Sequence, residues 1–419
     1  LSGLRVGLPF LFLSLALAVG CGGGSVGTGG TGGSVPPVNN NPVTSATIDG
    51  NTLITINAKS NDLVWDSIHG VLYAAISHES PNYPGTIATI NPNTGNVSSS
   101  MSVSQEPSVL AISDDAQFLY VGIDPTSRTA TAGGYVQRYV LSTWAPDIRI
   151  QLGLFVSPPD PTYAYYPLAL AVAPGQPHTL AVSSGLFRNP PGNGPQFNIA
   201  AVYDDQQARP NMLTDGYPIS VSSFAWGANA GTIFLVDDTD PASLYTYAVD
   251  PSGVSDVTNQ AVEMSTPFAD PPLALKIIFD NAKGYIYTEQ GEVYDPISGK
   301  QIIKYSVDGI LNLGQLGIFY PDPVLNQIYF VGQTQAQFDG CEPGTQVAPC
   351  QGTIASLDKT TGAVLHSITF DSLYNFPVVL TRCGSNGLAF TIGSVRLDGA
   401  FPQSNQGLTF ILQGPLVAQ

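Results

Sequence analysis

One unit recurs along this chain and limits what it can fold into. "LVWDSIHGVLYAAI" (Leu63–Ile76) and "LAISDDAQFLYVGI" (Leu110–Ile123) each run from an alternating apolar stretch through a short polar turn into a second apolar stretch. "FAWGANAGTIFLVD" from Phe224, "IIFDNAKGYIYTEQ" from Ile277 and "IFYPDPVLNQIYFV" from Ile318 repeat the pattern. "LAVAPGQPHTLAVS" from Leu170 and "VVLTRCGSNGLAFT" from Val378 are looser copies, making seven. Aligned on the turn, the copies put Asp66, Ser113, Pro174, Gly227, Asp280, Asp322 and Arg382 at one position, about 53 residues apart on average.

The second half of the unit repeats as well. "GTIATINPNTGNV" (Gly85–Val97) is nearly copied by "GTIASLDKTTGAV" (Gly352–Val364), and "YTYAVDPSGVSDV" (Tyr245–Val257) and "GEVYDPISGKQI" (Gly291–Ile302) follow it. Each places Asp or Asn, then Gly, between apolar strands, which is hairpin chemistry: the Asx starts the turn and Gly supplies positive φ. A unit is therefore two successive hairpins, one four-stranded antiparallel sheet. Such a sheet cannot hide both faces by itself, but seven arranged radially can. The expected fold is all-β, a seven-bladed β-propeller. Trp65, Trp226, Phe279 and Phe319 fall in the innermost strands, where they would fill space between blades. "NTLITINA" (Asn51–Ala58) precedes the first unit and "GLTFILQG" (Gly407–Gly414) ends the last. These two are expected to pair, closing the ring by joining the N-terminal strand to the last blade.

Across residues 60–415 the units resemble the YVTN-type seven-bladed propellers of bacterial secreted proteins. "SDDAQFLYVGIDP" (Ser113–Pro125) looks like that repeat signature, and "INPNTGNV" (Ile90–Val97) looks like its second hairpin. The resemblance implies the fold and says little of activity, since relatives range from lactonase-like and quinoprotein-like propellers to surface proteins without a known reaction.

The N-terminus carries an address. Arg5 precedes an apolar run over 6–19, too short to cross a bilayer as a helix. Small residues follow, the layout of a secretory signal peptide. Leu17-Ala18-Val19-Gly20-Cys21 resembles the lipobox of bacterial lipoproteins, which implies cleavage before Cys21 and its lipidation; an ordinary leader with an incidental cysteine is the plainer alternative. The expected organisation is a signal peptide over 1–20, a Gly/Ser/Pro-rich flexible tether over 21–44 and the propeller over 45–419. The protein is then expected outside the cytoplasm, lipid-anchored at the cell envelope. In that oxidising setting Cys341 and Cys350, bracketing a surface loop, are expected to form a disulfide, leaving Cys383 as a buried free thiol.

Charge narrows the partners. The chain has 14 basic and 31 acidic residues, a formal net charge of −17. Phosphate backbones repel such a surface, so nucleic acid is set aside. Nothing in the sequence forms a nucleophile elbow, a phosphate loop or a zinc-protease motif, and the four histidines, His69, His78, His178 and His366, show no metal-ligand spacing. Asp237, Asp238 and Asp240 form the densest acidic cluster, a weak metal candidate: the Gly and terminal Glu of an EF-hand loop are missing, and a solvated turn is the better account.

Residues just before each inner strand should line the central funnel. They are Asn61, Asp62, Glu106, Tyr165, Tyr166, Asp270, Gln315 and Asn375. This set suits hydrogen bonding and stacking and offers no pair of groups tuned as acid and base. No catalytic residue and no cofactor is expected. The expected role is a non-enzymatic binding or scaffold module, monomeric, taking an unknown protein, glycan or small molecule. The alternatives are a lactonase-like hydrolase acting at the funnel and a structural component of the cell surface.

Overall fold

A strand that is apolar at every position has two faces to bury. Phe118–Ile123 ("FLYVGI") and Gln327–Gly332 ("QIYFVG") are buried along their whole length, as are all but the first residue of Val71–Ile76. The computed structural model describes residues 42–125, 132–155, 163–186, 199–213, 221–237, 243–256, 262–264, 276–307, 317–334, 337, 351–371, 376–393 and 408–418. It arranges them as a seven-bladed β-propeller of antiparallel blades.

Blade 1 contains Ser60–Asp66, Val71–Ile76, Thr86–Ile90 and Val97–Ser102, from the channel outwards. Blades 2 to 6 begin on the inner strands Pro107–Ile112, Tyr163–Ala173, Val221–Trp226, Ile277–Asp280 and Gly317–Pro321. Burial falls from the channel outwards: the outermost strands Val97–Ser102 and Lys300–Lys304 are largely exposed. Blade 3 departs most from the repeat. Its two central strands are 11 residues long, and a two-residue strand, Leu154–Phe155, lies along the inner edge of Tyr163–Ala173.

Every blade gives one face to each neighbour. Within Val71–Ile76, Leu72, Ala74 and Ile76 pack with Ile54, Ile56 and Ile411 of blade 7, whereas Tyr73 and Ala75 pack with Leu110, Leu119 and Val121 of blade 2. The described residues form seven such apolar clusters, one for each blade-to-blade interface. The four aromatic residues predicted to fill these seams do so, and the indole of Trp226 also donates to Ala171 O of blade 3 at 3.0 Å. Cys383 is a free thiol inside the seam between blades 7 and 1, and burial pushes it up to about 12.

Ring closure follows the predicted pairing. Blade 7 takes Phe376–Cys383, Gly387–Gly393 and Leu408–Gln413 from the C-terminal end, then Asn51–Ile56 and Val43–Ile48 from the N-terminal end. It therefore has five strands, and the outermost begins two residues before the boundary expected at 45. Ile54 pairs with Ile411 and Leu53 with Leu412. Alternation sends Leu53 to the blade 6 seam and Ile54 and Ile56 to the blade 1 seam. Ser60 Oγ meets Thr409 Oγ1 at 2.7 Å, tying blade 1 to the closing strand.

The second hairpins form as the sequence indicates. Asn91 Oδ1 accepts from Asn93 N–H at 2.9 Å and Asp358 Oδ1 from Thr360 N–H at 2.9 Å, with Gly95 at φ 71° and Gly362 at φ 73° closing the two turns. The expected signal peptide over 1–20, Cys21, Cys341, Cys350, Asp238, Asp240, Asp270, Gln315 and Asn375 lie outside the described residues.

This closure predicts that Ile56→Ala destabilises the protein by about 2–5 kcal/mol, as much as Ile411→Ala, because both empty the same seam. Thr52→Ala, exposed near the start of the same strand, should stay within about 0.5 kcal/mol of wild type. Urea unfolding of the three variants checks this; an I56A variant as stable as T52A would remove the N-terminal strand from the fold.

Candidate functional site at the channel mouth

The inner strands share a local irregularity. Blades 1, 2, 3, 4 and 7 each show a register shift between the inner strand and its neighbour: between Ser60 and Asp62, Pro107 and Leu110, Pro167 and Ala169, Val221 and Ser223, and Pro377 and Val379. All lie at the entry end of the inner strand. A bulge there bends the strand and re-aims side chains while leaving N–H groups outside the ladder. Inner-strand N–H groups outside the ladder are taken up across the seams. Asp62 Oδ2 accepts from Leu110 N–H of blade 2 at 2.8 Å, and Ser223 Oγ accepts from Ile277 N–H of blade 5 at 3.2 Å.

Asn61 is the extra residue of the blade 1 bulge. Its amide donates to Glu106 Oε1 at 2.7 Å and to Pro107 O at 2.7 Å, both of blade 2. Glu106 Oε2 accepts from the His78 main chain and meets His78 Nδ1, each at 3.0 Å. Burial draws the Glu106 carboxyl upward, but the His78 N–H, Ser77, Asn61 and the His78 ring outweigh it and hold it below the usual carboxylate range. Gly85 sits against the Nε2 end of the His78 ring, where a Cβ would come within 2.3 Å. The dyad is therefore clamped at both ends, which suits a fixed recognition surface better than proton transfer.

Asp62 is buried. Its Oδ1 accepts from Leu63 N–H at 2.9 Å and lies 3.9 Å from Lys276 Nζ. Desolvation raises its carboxyl, with Lys276 and the Leu110 and Leu63 N–H groups opposing. Lys276 belongs to blade 5, nearly opposite blade 1 on the ring, so this ion pair spans the channel. Beside it stands Glu289. Glu289 N–H donates to Lys276 O at 3.1 Å, and Lys276 N–H donates to Glu289 Oε2 at 3.3 Å. Burial pushes the Glu289 carboxyl up to about 7; Lys276 opposes the shift and Asp62 adds to it.

The residues expected to line the funnel thus divide. Asn61, Asp62 and Glu106 come together at the entry of blades 1 and 2. Tyr165 and Tyr166 lie on the inner strand of blade 3, the ring of Tyr166 over Gly185 of the adjacent strand. Asp237 ends the second strand of blade 4, paired with Val221 at the entry of the inner strand. Among the described residues no set of three or more His, Cys, Asp or Glu side chains is placed to hold a metal ion.

The prediction missed Lys276, His78, Glu289 and Asp124. Lys276 directly precedes an inner strand and fits the rule used to choose the others. The other three just follow a second strand, which returns antiparallel to the mouth. Asp124 N–H donates to Glu106 O and Glu289 N–H to Lys276 O, each just past the end of a second strand. Extending the rule from one strand to both would have found them.

A second charged group occupies the outer rim of blades 2 and 3. The buried Arg138 guanidinium binds Asp147 and Asp205, and His178 Nδ1 shares Asp205 Oδ1 at 2.8 Å. Phe118 lies 4.3 Å from the guanidinium, a cation–π contact that marks this group as a pin between blades.

The fold and mouth define a class: a seven-bladed β-propeller whose channel carries Asp62, Glu106, Glu289 and Lys276 at one end. No protein-family model matches the chain, and no curated protein matches it.

Glu289 makes stability depend on pH. A carboxyl held above its unfolded value favours the native state while protonated, and that contribution is lost as pH rises from about 4.5 towards about 7. Glu289→Gln, which imitates the neutral acid, should gain stability relative to wild type across this window. Chemical unfolding of both proteins at pH 5, 6, 7 and 8 measures the difference; a constant difference would contradict the assignment.

Proposed function

We propose that this chain is a lipid-anchored propeller of the YVTN type that binds a ligand at its channel mouth outside the cytoplasm and does not transform it. The leader and its lipobox-like seam at Cys21 support the address. For binding, the main support is the separation of Asp62 from Glu106. Each carboxylate is held by its own partners, Leu63 and Leu110 for one, Asn61 and His78 for the other. Such a surface is preorganised, so little ordering is needed when a ligand with hydrogen-bond donors replaces water. A glycan, a peptide or a small polar molecule fits that description, and the acidic mouth disfavours anions.

A panel of oligosaccharides, short peptides and small amines, screened by thermal shift and titration calorimetry, tests the reading. A true mouth ligand should bind at least about tenfold more weakly to Asn61→Ala and Glu106→Gln, a loss of about 1.4 kcal/mol. A ligand indifferent to both substitutions would move the site elsewhere.

Glu289 favours a second reading, hydrolysis of the lactonase-like kind. A carboxyl near neutrality beside Asp62 and Lys276 could act as general base. Ester or lactone turnover that falls by two or more orders of magnitude in Glu289→Gln would establish it in place of the first.

The anchor has its own test. Cys21→Ser should move the protein from the membrane to the soluble fraction of cells, and mass spectrometry of the wild-type N-terminus should show a lipid on Cys21. An unmodified cysteine would leave an ordinary secreted protein.

A further inference from the structure

Carboxylates on two different blades act electrostatically with the Lys276 ammonium. Asp62, across the channel, is a partner at 3.9 Å, close enough for attraction and too long for a direct hydrogen bond. Glu289, on Lys276's own blade, is fixed to the Lys276 main chain: its N–H donates to Lys276 O and its Oε2 accepts from Lys276 N–H. The Lys276 side chain is 43% exposed, so it has room to move.

We propose that Lys276 is a proton-controlled strap: it bridges blade 5 to blade 1 across the channel when Glu289 is protonated and is drawn back to its own blade when Glu289 is ionised. The strap regulates the mouth described above and rests on that binding reading only for its use, since bridging narrows the entry to the Asn61–Glu106 surface.

Other titratable groups stand at this end of the described blades. Blade 1 brings Asp62 and, just before the same inner strand, Lys59, which is paired with Glu79. Blade 2 contributes Asp124 and Glu106, the latter held by Asn61 and His78. The inner strand of blade 3 carries Tyr163, Tyr165 and Tyr166. The described inner strand of blade 4, Val221–Trp226, contains no charge and offers Ser223 Oγ to Ile277 N–H, with Asp237 of the next strand opposite Val221. Phe319 of blade 6 donates its N–H to Glu289 O, and its strand, Gly317–Pro321, has Tyr320 as its one titratable side chain. In blade 7, Arg382 and Cys383 lie at the far end of the inner strand. When Glu289 loses its proton, two acids compete for one ammonium. The nearer in sequence gains most, because its backbone is already fixed against that of Lys276. Burial places the transition close to neutrality.

Reductive ¹³C-methylation of lysines in the full chain, which preserves their charge, gives each ammonium an NMR signal. Lys276→Arg identifies the Lys276 resonance. The expected result is a chemical-shift change with a midpoint near pH 7 that disappears in Glu289→Gln. The same midpoint in wild type and Glu289→Gln would overturn the proposal. So would a midpoint that survives in Glu289→Gln and vanishes in Asp62→Asn, which would assign the proton to Asp62. No ligand is present in this titration. Its failure therefore leaves the binding reading standing, and failure to find any ligand leaves the titration valid.

Discussion

The structure depends on one constraint: no blade can keep both of its apolar faces dry without two neighbours. Leu72 and Tyr73 are adjacent in sequence yet serve different seams, and the same alternation recurs around the ring. Cohesion is thus shared, and an open ring would leave two apolar faces in water. The N-terminal strand Asn51–Ile56 supplies the last shared face. Its pairing with Leu408–Gln413 brings together residues more than 350 positions apart, so the costliest loop closure is reserved for the contact that seals the whole.

Seam packing also shapes the mouth. Inner strands converge on the axis and must bend at their entry, and bulges in five of the seven blades provide the bend. Where Asp62 and Ser223 stand, at one repeat position, the polar side chain takes up an inner-strand amide of the next blade. Polar residues at the channel entry are therefore partly a structural necessity. Asp62 latches blade 1 to blade 2 whatever else it does, and its chemistry towards a ligand is limited to Oδ1.

Much of this was legible before any coordinates. The position marked by Asp66, Asp280 and Asp322 proved to be the first hairpin turn: Asp66 Oδ1 accepts from Ile68 N–H and Asp322 Oδ1 from Val324 N–H, while Tyr73 and Tyr329, seven residues on, donate to the other oxygens. Local chemistry repeats because the turn repeats. The bulges were not legible, since a single extra residue such as Asn61 looks like ordinary strand sequence. Nor was the partnership of Lys276 with Asp62, which depends on ring position rather than on sequence distance. The shifted carboxyl of Glu289 follows from burial and from Asp62 across the channel, neither of which the stretch "YTEQGE" displays.

The two ends of the channel settle which one is free to act. At the turn end the charges are matched and buried: Lys359 binds Asp280 at 2.9 Å and donates to Asp322 O, and Arg382 binds Asp322. These pairs join blades 5, 6 and 7, and each acid also caps its own turn. At the entry end the sum is unequal. Lys59 is taken by Glu79, which leaves Lys276 to Asp62 and Glu289 with Glu106 and Asp124 at the same end, and burial opposes full ionisation of Asp62 and Glu289. Protons and ligand cations can relieve that imbalance, and packing cannot, because the surplus acids lie around the channel instead of within a seam. A fold held together by uniform seams therefore places its one unresolved electrostatic problem where solvent and ligand can reach it.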